Sequence, residues 1–135
     1  MESNFDIMKT EQKYLHELHA EHREFESILN LAKDEIKTFE NRLEGIVSTN
    51  SKGDVLAPLE HFQNSFIRQK EVIDVLMSKI RHQEHEITEL AKANNVATDH
   101  RKTDDHGELR DQMDTFSKLF SELKAELTAY LLKVY

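Results

Sequence analysis

From Met8 to Ile46 the apolar side chains recur at steps of three and four: Met8, Leu15, Leu18, Phe25, Leu29, Ala32, Ile36, Phe39, Leu43 and Ile46. Glu11 and His22 are the polar members of the same series. Such spacing keeps one stripe of a 3.6-residue helix apolar, and a seam sustained this long is the pattern of helices that pack along their whole length. The pattern recurs twice. A second seam runs Val55, Leu59, Phe62, Phe66, Ile73, Leu76, Ile80, Ile87 and Leu90, interrupted by Gln69 and Gln83 and followed by Asn94. A third begins at His106 and continues through Leu109, Met113, Phe116, Phe120, Leu123, Leu127, Tyr130 and Val134.

The breaks between seams carry stop and start signals. Gly45 and the stretch "STNSKGD" end the first, Asp54 is a candidate cap for the second, and Pro58 falls in its first turn, where a missing N–H is tolerated. "ANNVATDHRKT" reads as a loop, with Thr103 as the next cap and Asp104 and Asp105 at the positive end of the third helix. The expectation is an all-α single domain over residues 1–135. Three long helices, about 5–46, 55–94 and 104–134, form an antiparallel up-down-up bundle with coiled-coil-like packing.

Composition agrees. Charged residues make up 33% of the chain, with 3 glycines, 1 proline and no tryptophan, a balance that favours long helices over loops. The formal net charge of −8, without a basic run, argues against nucleic acid and against an anionic membrane surface as partners. No apolar run approaches the ~18 residues of a membrane span. "MESNFDIMKTEQK" lacks the basic-then-apolar order of a signal peptide. With no cysteine there is no disulfide, thiolate nucleophile or cysteine-based zinc site, and the chain reads as cytoplasmic.

Helix lengths raise a packing problem. At ~1.5 Å per residue the first two helices reach about 60 Å and the third about 46 Å. Aligned through the second loop, the third helix starts near residue 7 and ends near residue 40. The tip of the first hairpin, with Phe39, Leu43, Ile46, Val55, Leu56, Leu59 and Phe62, then lacks a third partner. An apolar tip in water is unfavourable, so the expectation is a homodimer, or another protein partner, covering it.

Eight histidines stand in the sequence, three of them in "HELHAEH" at residues 16–22. Folding the hairpin near residue 50 sets His16 level with His85 and His19 level with His82. His16, His19, His22, His82, His85 and Glu84 then share one slice of the bundle. Imidazole and carboxylate ligands from neighbouring helices are how bundles hold zinc or iron. Around the helix, His22 points inward, His19 flanks the seam and His16 faces outward. His82 lies off the seam and His85 nearly opposite it. At most two or three of them converge. His22 also has a structural alternative, a hydrogen bond to Gln83 that pins register. Glu11 and His106, both on seams, read as a polar plug at the open end. His61 and His100 read as structural or as loop residues.

No Gly-rich phosphate loop, HExxH, GxSxG or EF-hand motif is present. "ELHAEHREFESILNL", residues 17–31, resembles the first helix of hemerythrin-like cation-binding proteins. That resemblance implies His22 as a ligand of a di-iron centre. "HQEHEITEL", residues 82–90, is similar to their third helix, which would make His82 and His85 candidates. The family's His-x-x-x-Glu pair has no counterpart, since His61 is followed by Ser65. "FENRLEGIVS" and "EHFQNSFIRQKEVID" resemble stretches of a group of small bacterial helical proteins; both flank the hairpin tip and imply no activity. Two functional expectations follow. The first is a non-enzymatic interaction module that self-associates through the tip. The alternative is a transition-metal-binding bundle, for zinc or iron, using the His/Glu cluster between the first two helices.

Overall fold

The computed structural model describes residues 4–49, 53–92 and 100–134, without the side chains of 4–12, 53–55, 91 and 100–104. These residues are all helical, in three elements: α1 (Asn4–Thr49), α2 (Gly53–Lys92) and α3 (His100–Val134). Cross-helix pairs fix the directions. Lys33 meets Asp74 and Lys70 meets Glu40, so α2 runs against α1. Lys79 meets Gln112 and Phe62 meets Tyr130, so α3 runs against α2. Lys124 meets Glu35, so α3 lies parallel to α1. No helix of the described residues is long and apolar enough to cross a membrane.

The seams are the core. Leu29, Ile36, Leu43, Leu59, Phe66 and Ile80 have no exposed surface, and Leu109, Phe116 and Leu127 from α3 close on them. Phe39 stacks on Phe66 at 5.6 Å, and Phe62 packs against Tyr130 at 5.4 Å. One seam position is poorly served: Gln69 buries its side-chain oxygen with no hydrogen-bond partner.

Helix ends differ from expectation in instructive ways. Gly45 does not end α1, which continues to Thr49. Ser48 Oγ and Thr49 Oγ1 donate to the Gly45 carbonyl at 2.8 and 3.2 Å, so side-chain hydroxyls satisfy acceptors that the helix terminus leaves open. The start of α2 at Gly53 puts Pro58 beyond the first turn, where its missing N–H costs one helical hydrogen bond. His100 opens α3, four residues before the expected start.

The largest correction concerns the tip. Contacts between Glu21 and Arg110, and between Glu35 and Lys124, set the end of α3 level with about residue 45 of α1 rather than with residue 40. The third helix sits nearer the tip than alignment through the second loop suggests. Leu43, Ile46, Leu59 and Phe62 are therefore buried within the single chain, and Phe39 and Leu56 are partly buried against the same core. Val55 lies outside the described side chains. Among the described tip residues Leu43, Ile46, Leu59 and Phe62 are core, while Phe39, Leu56 and the neighbouring Val47 keep part of their surface open.

Candidate functional site

The same displacement of α3 builds a polar layer across the bundle. His22 sits on the α1 seam and His106 on the α3 seam, and both are buried, at 1% and 3% exposure. Their rings meet edge to face at 5.0 Å, and Phe25 stacks on His106 from the apolar side at 6.2 Å. Two buried imidazoles need partners, because an unpaired buried polar group costs about 1–3 kcal/mol.

Partners arrive from all three helices. Glu84 of α2 receives Nδ1 of His22 on one carboxylate oxygen at 2.5 Å and Nδ1 of His19 on the other. His22 Nε2 lies 3.0 Å from Gln83 Oε1 and 3.2 Å from His106 Nδ1. The Gln83 amide nitrogen donates to the Asp105 carbonyl at 3.2 Å, which leaves its oxygen to accept from His22. His106 Nε2 donates to Glu21 Oε1 at 2.8 Å, and Arg110 holds the same carboxylate with Nε at 2.8 Å and a second nitrogen at 3.2 Å.

Glu84 thus takes both α1 imidazoles on its two oxygens, while Arg110 and His106 share the Glu21 carboxylate. Burial holds His106 below the ordinary imidazole range, against the opposing pull of Glu21, and His22 and Arg110 push in the same direction as burial. The Arg110 hydrogen bond holds the Glu21 carboxyl below its usual range, with burial opposing and His106 reinforcing.

Of the residues anticipated from sequence, His19, His22 and Glu84 come together, and the expected His22–Gln83 contact is present. Three do not join them. His82 is 75% exposed and pairs along its own helix with Glu86 at 2.7 Å. His85 and His16 are exposed as well. The hairpin closes later than residue 50, because α1 extends to Thr49 and α2 begins at Gly53, so the level opposite His19 slides from His82 to Glu84, and His22 meets Gln83 and Glu84. His106 meets Glu21 and His22, where a pairing with Glu11 was expected; the Glu11 side chain lies outside the description. His61 stays on the surface, 3.7 Å from Glu126.

Glu21 falls in the slice that holds the histidines of α1, whereas Arg110 carried no sequence signal. Both sit beside their seams, where charged residues are the norm. Among the described residues no group of three His, Asp or Glu side chains is arranged to hold a metal ion. No protein-family model matches the chain, and neither a curated protein nor a solved structure is significantly similar to it.

Proposed function

We propose that this protein is a transition-metal-binding helical bundle that takes a divalent ion of the zinc or iron class between α1 and α2. Nδ1 of His19, Nδ1 of His22 and the Glu84 carboxylate would be its ligands. The observation that carries this reading is the convergence of two imidazole Nδ1 atoms, three residues apart on α1, upon the two oxygens of one carboxylate on α2. Metal ligands are groups that otherwise hold protons, and a divalent ion replaces those protons when the same atoms turn to it. Binding would exchange two imidazole–carboxylate hydrogen bonds for ligand bonds, with the carboxylate drawing back to admit the ion.

Three further features support the reading. His22 uses its other nitrogen to contact Gln83 and His106, the outer hydrogen bond that fixes the tautomer and orientation of ligating histidines. The donor set of two imidazoles and a carboxylate suits zinc and ferrous iron and is poorly matched to calcium or magnesium. His19 and Glu84 remain partly exposed, at 43% and 22%, which gives an ion a route in and leaves a coordination position for water. The resemblance of residues 17–31 to hemerythrin-like proteins bears on the same residue, His22.

Elemental analysis and calorimetry on protein purified without a histidine tag test this. The expected result is about one equivalent of zinc or ferrous iron bound with micromolar or tighter affinity, corresponding to roughly 8 kcal/mol or more. His22→Ala abolishes binding, and Gln83→Leu weakens it by roughly 10-fold through loss of the outer hydrogen bond. His82→Ala and His85→Ala leave it unchanged. Failure to bind either ion, or binding unaffected by His22→Ala, contradicts the proposal.

A further inference from the structure

A groove of about 550 Å³ runs between α2 and α3 and is lined by these two helices alone. Its wall is apolar, with Val72, Leu76 and Phe116 at the base and Val75 and Leu119 at the lip. Val75 is 54% exposed and Leu119 48%, both off the seams that form the core. Arg68, Glu71 and Lys79 of α2 stand along the rim, with Asp111 of α3 at the Lys79 end. We propose that this groove is the face through which two copies of the chain associate, about a two-fold axis passing near Val75.

The rim selects the occupant. A two-fold axis at Val75 sets α2 antiparallel to α2 of the second copy, so residues equally spaced before and after Val75 come opposite each other. Glu71 lies four residues before Val75 and Lys79 four residues after it. Glu71 of each copy then faces Lys79 of the partner subunit, and the pair occurs twice. The same operation turns the Arg68 end of one groove toward the Asp111 end of the other. Among the described residues Glu71 and Arg68 make no ion pair within the chain, and Lys79 donates only to the neutral Gln112, at 2.8 Å. A partner of a single charge sign would leave one half of this rim opposed. A second copy satisfies both halves and covers Val75 with Val75. At the hairpin tip Leu43 and Leu59 are already fully buried within the chain.

Sedimentation equilibrium on the full chain, with a chelator present so that bound metal plays no part, decides the matter. The expected state at high-micromolar concentration is a dimer. Val75→Glu gives a monomer of unchanged helicity by circular dichroism. Lys79→Glu alone weakens the dimer by roughly tenfold or more, since it turns two attractive pairs into two repulsive ones. The double variant Glu71→Lys with Lys79→Glu restores association, and this recovery stands whether or not Val75→Glu folds well. A wild-type chain that stays monomeric overturns the proposal. So does an oligomer that survives Val75→Glu, or a double variant no tighter than Lys79→Glu alone.

Discussion

His22 and Leu29 hold the same position of one helical seam, seven residues apart, and neither is open to water, at 1% and 0% exposure. Around Leu29 the seam is closed by hydrocarbon alone, within the cluster that includes Phe25, Ile73, Ile80 and Met113. Around His22 it is closed by hydrogen bonds drawn from all three helices. The apolar slice is indifferent to small slips along the axis, because packing of this kind is non-directional. The polar slice is not: Glu84, Gln83, His106 and Glu21 meet their partners in one register only. Two slices of the same seam thus divide the work, one supplying most of the stabilisation and the other fixing how far each helix slides past its neighbours.

Substitutions can break that division from either side. The largest effect is expected in the apolar slice, where Leu29→Ala should lower unfolding free energy by about 3–5 kcal/mol, because the cavity is walled by two other helices. Chemical denaturation followed by circular dichroism measures it. His22→Ala should cost about 2–4 kcal/mol in the same assay, because one Glu84 oxygen, the Gln83 oxygen and His106 Nδ1 each lose a partner. The sharper test is the pair His22→Leu with His106→Leu. Removing both rings deletes the need along with the partners, so the double variant should be more stable than His22→Ala, while losing uniqueness of register as seen in broadened amide resonances.

Acid should act on the polar slice through His106 and Glu21. In metal-free protein the folded state holds His106 below its ordinary value of 6.5, so the unfolded chain takes up that proton first as pH falls. The stability that neutral His106 contributes is present above about 6.5 and declines below it, down to the lowered folded value. Glu21, held below its ordinary 4.5 by Arg110, has the same sign and loses its contribution as pH falls through that lowered value. Thermal midpoints should therefore drop between pH 7 and pH 5, and His106→Leu should flatten that drop. The smallest effect is expected at Gln69, whose buried oxygen has no partner. Gln69→Leu should raise stability by roughly 1 kcal/mol, measurable in the denaturation assay.

Much of this was legible in the three seams. The buried apolar residues, from Leu15 to Ile46 on α1, Leu59 to Ile80 on α2 and Leu109 to Leu127 on α3, are the ones the three- and four-residue steps pick out. So was the inward placing of His22 and its contact with Gln83, since both residues interrupt a seam. Axial offset was not legible. Periodicity says which side of a helix faces the core, and it repeats every turn, so it is silent about sliding by a turn. The position of α3 depends on that sliding. It converts His106 from an end plug into the partner of His22, brings in Glu21 and Arg110, and fills the hairpin tip with chain-internal contacts. The stop read at Gly45 and the first-turn place read for Pro58 misled for a local reason: both residues are tolerated inside helices when tertiary packing on either side outweighs their propensity cost.

The central claim, that the polar slice is a metal site facing α2, has a direct spectroscopic reading. Nitrogen-15 spectra of the histidine side chains, recorded with and without one equivalent of zinc, report which ring nitrogen changes. The expected result is that Nδ1 of His19 and of His22 moves to a metal-bound shift while Nε2 of His22 keeps its proton toward Gln83, and that His82 and His85 do not respond. Zinc that shifts Nε2 of His82 or His85, or that leaves the His22 ring untouched, would contradict it.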